Sequence, residues 1–337
     1  MDLLGGKSGR RNHRDEEMFN LLDYQIAAAE EAVQLLMHER PPFTFGAEPL
    51  LVLPTGAGKT EIAISVACRL ANEGKRVCFL ADRKSELRNF CRRTGELGTV
   101  VDAEMVQVME SSPHRFDYDV FIVDEAHELR AGFLRILVAS GKRFLGLTAT
   151  PFRRGLQNHY GPIISGPTTN DMVRAGRLVR PRAVEEKWSG DYRTAFDSLS
   201  LLGPALAFVP PRQLQVCVSA CREAGFSADY IRSGLPPDKI DDAISRFEYG
   251  DTQVLVSVAM LSRDYDNPAV RHALDFAKQT SFGLHVQKLS RIMQTALGKL
   301  VARYHDFTGN WQRFREARER FWEHGVRDWA DVARYQV

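Results

Sequence analysis

The sequence predicts an α/β protein with two tandem domains, each a parallel sheet with helices on both faces. Short continuous apolar runs, typical of buried parallel strands, alternate along the chain with segments of helical periodicity. The chain has 337 residues, which is longer than one ordinary domain. We therefore expect the first domain at residues 18–165 and the second at residues 183–310.

The remaining segments connect or flank these two domains. The stretch from Gly161 through Pro181 is rich in Gly and Pro, and residues 166–182 within this region are predicted to be the linker. Residues 1–17 are polar and basic, which favours a flexible arm over an auxiliary phosphate contact. Residues 311–337 place aromatic side chains at helical spacing, so we expect one amphipathic helix packed on the second domain. Base stacking by these interleaved rings and arginines is the less favoured interpretation.

The composition indicates a globular protein without membrane segments. Hydrophobic residues make up 44% of the chain and charged residues 26%. No apolar run approaches the roughly 18–20 residues of a membrane span, and no signal peptide is visible, so we expect a cytoplasmic location. A net charge of +2 does not by itself indicate a nucleic-acid binder, and any basic surface must be local. The five cysteines favour core packing in a reducing compartment over a metal site.

The first element that carries chemistry is an apolar strand at residues 50–53 that runs into a glycine-containing loop. Backbone N–H groups of such a loop wrap nucleotide phosphates, and the following helix directs its positive end at the same anion. Lys59 is expected to reach the β- and γ-phosphates, and the Thr60 hydroxyl to bind Mg²⁺. The candidate nucleotide-binding residues of this loop are Thr55, Gly56, Ala57, Gly58, Lys59 and Thr60.

A second apolar strand, at residues 120–123, ends in two adjacent acids. Asp124 is suited to hold the Mg²⁺ shell from the end of the strand, and Glu125 can orient and deprotonate an attacking water. Alone, such a pair could cap the following helix. With a phosphate loop upstream, it indicates a nucleotide-hydrolysing site.

A third strand, at residues 143–147, leads into Thr148-Ala149-Thr150. With this segment, the phosphate loop LPTGAGKT and the acid motif DEAH, the chain resembles the superfamily 2 DEAD/DEAH-box helicases, and within them the RadD/XPB-like group. The resemblance covers roughly residues 19–310. It implies two RecA-like domains that bind ATP and Mg²⁺ between them, and it assigns adenine recognition to Gln25.

The resemblance also implies coupling and nucleic-acid roles for residues outside the phosphate loop. The residues expected to couple nucleotide state to the nucleic acid are His127, Thr148, Thr150, Asp266 and Gln287. The residues expected to contact nucleic-acid phosphates are Arg83, Lys84, Arg88 and Arg153. For Lys84 and its neighbours, a solvated helix face is the alternative.

The motifs of the second domain depart from the family pattern. Asp264 replaces a glycine and Arg263 replaces its acidic neighbour, whereas Ser290 replaces a glycine and Gln294 replaces a second arginine. Arg291 is the matching arginine that remains, and the resemblance assigns it to the γ-phosphate. Because an arginine finger accelerates phosphoryl transfer by about 10³–10⁵, these departures favour a reduced turnover unless Arg263 substitutes.

The sequence therefore predicts an ATP-dependent helicase or translocase that acts on single-stranded or forked DNA. RNA is the second choice of substrate, and we expect a monomer, with a protein partner left as an open alternative. Two other functions stay open. One is a weakly hydrolysing, ATP-gated DNA clamp, and the other is the motor subunit of a larger DNA-processing complex.

Overall fold

A computed structural model describes residues 21–38, 46–82, 84–112, 117–258 and 267–336. The described residues form two compact units, each built around its own sheet. The first unit takes its residues from Met1–Val52, Gly58–Ala149 and Gly155–Gly166. The second takes its residues from Leu53–Ala57, Thr150–Arg154 and Pro167–Val337. The predicted arm at residues 1–17 lies outside the described residues.

In the first unit, the described strands form one parallel sheet in the order β3-β2-β4-β5-β1-β6. Its strands are β1 (Glu48–Val52), β2 (Val77–Ala81), β3 (Asp102–Met105), β4 (Val120–Val123), β5 (Arg143–Thr148) and β6 (Tyr160–Ser165). Its helices are α1 (Asp23–Met37), α2 (Lys59–Asn72), α3 (Lys84–Glu96), α4 (Val106–Ser111) and α5 (Ala131–Ala139). Strands β4, β5 and β1 are neighbours, so the loops that follow them lie at one edge of the sheet.

In the second unit, the described strands form a second parallel sheet in the order β7-β12-β11-β8-β10-β9. Its strands are β7 (Pro181–Glu185), β8 (Ala205–Phe208), β9 (Ala228–Ile231), β10 (Val254–Ser257), β11 (His272–Asp275) and β12 (Ala302–Asp306). Its helices are α6 (Thr169–Arg174), α7 (Tyr192–Ser198), α8 (Leu214–Glu223), α9 (Pro237–Tyr249), α10 (Phe282–Met293), α11 (Asn310–Arg313), α12 (Arg315–His324) and α13 (Trp329–Arg334). The predicted fold class, two parallel sheets with helices, is confirmed.

Apolar sequence determines where these elements form. Each residue of β4 is buried, as expected for a strand in the middle of a sheet that is covered on both faces. In α2, the predicted apolar face is buried, including Ile62, Val66 and Leu70. Within the described residues, no helix combines the length and the apolarity needed to cross a bilayer.

Two segments differ from the sequence prediction. The predicted linker at residues 166–182 contains α6, which starts with a capping box between Thr168 and Asp171, and the first residues of β7. The single helix predicted over residues 311–337 is wrong, because this part of the chain forms α11, α12 and α13. Gly325, at φ +64°, ends α12 by leaving the helical region. The aromatic spacing nevertheless predicted the buried rings of Phe321 and Trp322.

Candidate nucleotide and nucleic-acid sites

The phosphate loop joins β1 to α2. The backbone N–H of Ala57 donates to the Pro54 carbonyl at 3.1 Å, which closes a turn before the helix. Gly56 and Gly58 have φ values of +80° and +81°, in the left-handed region that glycine adopts without strain. Helix α2 then begins at Lys59. The first N–H groups of a helix lack intrahelical acceptors, and a glycine loop that leads into a helix start is a backbone arrangement that suits an anion.

Helix α1 brings Gln25 to this loop. The Gln25 side chain is only 6% exposed, and its Oε1 accepts a hydrogen bond from the Leu22 backbone N–H at 2.9 Å. Its Nε2 lies inside the space that a Cβ atom at Gly58 would fill. The backbone angle favours glycine at position 58, and a larger residue there would displace the Gln25 carboxamide. The structure thus places the residue predicted to read adenine beside the phosphate loop.

Arg143 holds the other end of α1, a role that the sequence did not predict. Its guanidinium donates to the carbonyls of Leu35, Leu36 and His38 at 2.6–2.8 Å. Its Nε donates to the Glu48 carboxylate at 3.0 Å. A cation at the C-terminal end of a helix also interacts favourably with the helix dipole. Arg143 and Glu48 therefore fix α1, and with it Gln25, to β1 and β5.

The acidic turn follows β4. Backbone N–H groups of Asp124 and Ala126 donate to the carbonyls of Leu80 and Leu147, each at 2.9 Å, so both neighbouring strands fasten the turn. Among the described residues, Glu125 is the one non-glycine residue with a positive φ, at +43°. Such a conformation costs about 1–2 kcal/mol and persists where the surroundings impose it. The side chains of Asp124 and Glu125 are half-buried at the same edge of the sheet as the phosphate loop.

His127 connects this turn to the end of β5. Its Nδ1 lies 2.8 Å from Thr148 Oγ1 and 3.3 Å from a Glu125 carboxylate oxygen. Its Nε2 lies 3.2 Å from Glu128 Oε1. His127 and Thr148 are buried, so these contacts are shielded from solvent. The structure therefore brings together two of the predicted coupling residues with the predicted base.

The other coupling residues belong to the second unit. Gln287 Nε2 donates to Thr150 Oγ1 at 3.3 Å, and both residues are assigned to this unit. Gln287 and Arg291 share one face of α10 at i,i+4 spacing, and Arg291 is buried. Gln294 ends the helix and is also buried. The predicted coupling residue Asp266 lies outside the described residues, as do Arg263 and Asp264.

A buried ionic network that the sequence did not predict supports α10. The fully buried Asp275 carboxylate accepts from Lys288 Nζ at 2.7 Å and from Asn310 Nδ2 at 3.0 Å. The Tyr304 hydroxyl and Gln279 Nε2 donate to the same carboxylate. Burial and the Asp275 charge raise the pKa of Tyr304 well above its usual value, so the phenol stays a donor. The four donors come from four places in the chain, namely the loop before α10, α10 itself, β12 and α11, so no local sequence pattern predicted them.

The predicted nucleic-acid residues are only partly brought together. Lys84 and Arg88 are exposed on α3 and, at i,i+4 spacing, share one face. Arg153 is half-buried after β5. Arg83 lies outside the described residues.

The residues at the carboxyl ends of β1 and β4 fit a nucleotide with Mg²⁺. Hydroxyl and carboxylate oxygens are the ligands that Mg²⁺ takes from proteins, usually with substrate phosphates completing its shell. Thr60 and Asp124 supply these two groups, and both side chains are half-buried rather than sealed in the core. Gly56 and Gly58, both at positive φ, give the turn before α2 the backbone of a glycine loop, and such loops hold nucleotide phosphates.

A family model for the res subunit of type III restriction enzymes matches residues 18–100. This range includes Gln25, the phosphate loop and α3. No curated protein matches the chain.

Solved structures share the fold at low sequence identity. A fragment of a putative HsdR subunit of a type I restriction enzyme from Vibrio vulnificus is 19% identical, with a TM-score of 0.67 over 86% of this chain and 65% of that chain. The ATP-dependent Type ISP restriction-modification enzyme LlaBIII bound to DNA is 15% identical, with a TM-score of 0.62 over 84% of this chain and 27% of that chain. Dbp5 from S. cerevisiae, bound to RNA and ADP BeF3, is 14% identical, with a TM-score of 0.62 over 96% of this chain and 99% of that chain.

These comparisons confirm the predicted resemblance at the level of fold. The two sheets match two RecA-like domains, the fold shared with Dbp5. The chain spans 27% of LlaBIII and 65% of the HsdR fragment.

Proposed function

We propose that this chain is an ATP-dependent nucleic-acid motor, a helicase or translocase that couples ATP hydrolysis to movement along DNA. The observation that supports this most strongly is the shared sheet edge. The phosphate loop after β1, the acidic turn after β4 and Thr148 at the end of β5 belong to three neighbouring parallel strands. Ligands of open α/β sheets bind at this carboxyl edge.

Each residue at this edge has a defined chemical task. Lys59 binds the β- and γ-phosphates, and the loop N–H groups hold the remaining phosphate oxygens. Thr60 and Asp124 would hold Mg²⁺, which would supply positive charge beside the phosphate oxygens. Glu125 orients the attacking water and accepts its proton. The Glu125 carboxylate lies 3.3 Å from His127 Nδ1, and the same nitrogen contacts Thr148. His127 therefore links Thr148 to the turn that is proposed to position the water.

Arg291 is the proposed arginine finger, on the strength of the motif resemblance and of its place on α10 beside Gln287. The network around Asp275 and Lys288 supports the helix that carries it. Gln294 is a neutral amide where the family pattern has an arginine, so it cannot offset charge that develops on the transferring phosphoryl group. We therefore propose a hydrolysis rate below that of a motor with two arginines.

DNA is the proposed substrate, with RNA as the alternative. The family model and two structural neighbours concern restriction enzymes, and LlaBIII is described as bound to DNA. Dbp5, described as bound to RNA, has a similar fold, and fold alone does not decide between the two nucleic acids. Lys84, Arg88 and Arg153 are the proposed phosphate contacts, and Arg83 belongs to this set by sequence. We expect the motor to act as a monomer.

A second function follows from the replaced motif residues. With Ser290 on α10 and Gln294 at the end of that helix, the chain is proposed in this alternative to bind ATP, close on DNA and release it with little hydrolysis, as a clamp. The short coverage of LlaBIII and of the HsdR fragment supports a related proposal, in which the chain is the motor part of a larger DNA-processing assembly.

Steady-state ATP turnover, measured with and without single-stranded DNA, tests the proposal. We expect DNA to raise turnover several-fold and Lys59→Ala to abolish it, with Lys75→Ala as the control, because Lys75 is an exposed lysine outside the loop. ATP-dependent DNA binding with near-zero turnover would select the clamp. Absence of both ATP binding and nucleic-acid binding would overturn both functions.

A further inference from the structure

One ion pair joins the phosphate-loop helix to the helix that carries the candidate DNA contacts. Arg93 Nη1 on α3 donates to Glu61 Oε1 on α2 at 2.6 Å, and Arg93 Nη2 bonds to the second carboxylate oxygen. This is the bidentate geometry in which a guanidinium fixes the orientation of a carboxylate. The two side chains are 29% and 35% exposed, so the pair is reachable by solvent but not freely solvated.

The two ends of this pair lie at different proposed sites. Glu61 follows Lys59 and Thr60 in the first turn of α2, and its Cγ lies 3.4 Å from the position that a Cβ at Gly58 would take. Arg93 lies on the same helix as Lys84 and Arg88, but about 140° around the helix from Arg88. Helix α3 therefore holds α2 with one face and presents its basic side chains on another.

The ion pair is not the main attachment of α3. Partly exposed ion pairs contribute about 0–1 kcal/mol to folding. The packing of α3 on the sheet comes instead from Phe90, which is buried and stacks on Phe79 with ring centroids 3.9 Å apart. Loss of Arg93 should thus leave α3 folded and attached, while releasing its orientation relative to the start of α2.

We propose that the Glu61–Arg93 pair transmits the nucleotide state of the phosphate loop to the proposed DNA contacts of α3, Lys84 and Arg88. Phosphates that enter the loop move the start of α2, Glu61 moves with it, and Arg93 carries the change to Lys84 and Arg88. Arg93 is a positioning residue in this scheme, since it contacts neither ATP nor DNA. The inference rests on the proposed function and names a route for its coupling.

The test compares Arg93→Gln with Arg92→Gln. Arg92 lies next to Arg93 on α3 but pairs with Glu96 of its own helix at i,i+4, so its loss breaks an ion pair without detaching α2. The affinity for fluorescent single-stranded DNA is measured by anisotropy, with and without a non-hydrolysable ATP analogue. Coupling between two sites typically changes affinity 5–150-fold, and it is reciprocal. The coupling factor is the ratio of DNA affinity with the ATP analogue to DNA affinity without it. We expect this factor to fall about fivefold towards one in Arg93→Gln and to keep its wild-type value in Arg92→Gln.

Two further readouts separate coupling from damage. Basal ATP turnover of Arg93→Gln should stay within about twofold of wild type, while DNA stimulation is lost. In a double-mutant cycle, Glu61→Gln combined with Arg93→Gln should reduce the coupling factor no further than Arg93→Gln alone, because both changes break one interaction. Arg93→Lys, which keeps the charge but not the fork, should restore part of the factor.

The outcomes distinguish this inference from the proposed function. If wild type binds both ligands and Arg93→Gln keeps the full nucleotide effect, the inference is wrong and the motor proposal stands. A wild type that binds both ligands without any nucleotide effect also overturns it. If wild type binds neither ligand, the proposed function fails and the inference fails with it.

Discussion

The carboxamide of Gln25 occupies the space that a Cβ atom at Gly58 would need. A residue on the first turn of α1 is thereby in contact with the loop that is expected to hold the nucleotide phosphates. Because Arg143 fixes the far end of α1 to the sheet, the carboxamide is held at a defined place rather than on a mobile arm.

Gln25→Ala should weaken ATP binding and reduce the preference for adenine. The carboxamide offers one donor and one acceptor to a base edge, and two hydrogen bonds at about 1 kcal/mol each correspond to roughly tenfold in affinity or more. Competition against a fluorescent nucleotide should show ATP affinity falling by about this factor and GTP affinity changing little. Gln34→Ala, an exposed glutamine of the same helix, is the control. If the affinities for ATP and GTP fall equally, Gln25 does not recognise the base.

Glu125→Gln should preserve ATP binding and stop hydrolysis. The amide cannot accept a proton from water, and a general base contributes about 10²–10⁴ to a rate. A single-turnover assay should show ATP bound but uncleaved. Glu128→Gln is the matched control, because Glu128 also contacts the His127 ring but lies outside the proposed water site. If both variants lose turnover to a comparable extent, the loss comes from a changed orientation of the His127 ring and not from removal of a general base.

Replacing both Lys84 and Arg88 with glutamate should weaken DNA binding by a similar factor for DNAs of different sequence. Each lost phosphate contact on a single strand lowers the slope of log affinity against log salt by about 0.7. Anisotropy titrations at several salt concentrations measure this slope. Lys75→Glu with Lys239→Glu gives the same change in net charge at exposed positions elsewhere. An equal slope in the two double variants would show that α3 presents only a solvated face.

Arg291→Ala should lower kcat strongly with little change in KM for ATP, because a finger acts mainly on the transition state. Gln294→Arg should raise DNA-stimulated turnover about tenfold or more if a second arginine is what the chain lacks. Arg315→Ala, which removes an exposed arginine paired with Glu319, is the control. If Gln294→Arg has no effect and Arg263→Ala abolishes turnover, Arg263 has taken the finger role. Turnover near zero that responds to neither change would favour the clamp.

Acid should destabilise the second unit through His272. Burial and the neighbouring His305, 3.0 Å away, lower the pKa of His272 to about 4, and Arg303 and Arg271 act in the same direction. An unfolded histidine titrates near 6.5, so between pH 6.5 and 4 the unfolded state binds a proton that the folded state does not. The free energy of unfolding therefore decreases as the pH is lowered through this range. Thermal unfolding should show Tm decreasing over this window, with a weaker decrease in His272→Gln. The exposed His324→Gln should leave the wild-type pH dependence unchanged.

Patterns close in sequence predicted much of this structure. The continuous apolar run of β4 and the glycine loop before Lys59 identified the two strands that end at the proposed site. Contacts such as Arg143–Glu48 and Lys288–Asp275 were missed, because a pair of residues distant in sequence leaves no periodic signal. Helix α6 was not predicted, because the surrounding Gly and Pro residues indicated a linker. Thr168 and Asp171 nevertheless have the spacing of a capping box.

The left-handed backbone at Glu125 places folding and chemistry in opposition at a single position. Glycine would adopt φ +43° without the steric cost that glutamate bears, so selection for a stable fold alone would favour glycine there. On the proposed function, the Glu125 carboxylate serves hydrolysis at a cost to the stability of the fold. Variants recovered from a screen for heat resistance are thus expected to lose the carboxylate at this position and, with it, the capacity to turn over nucleotide.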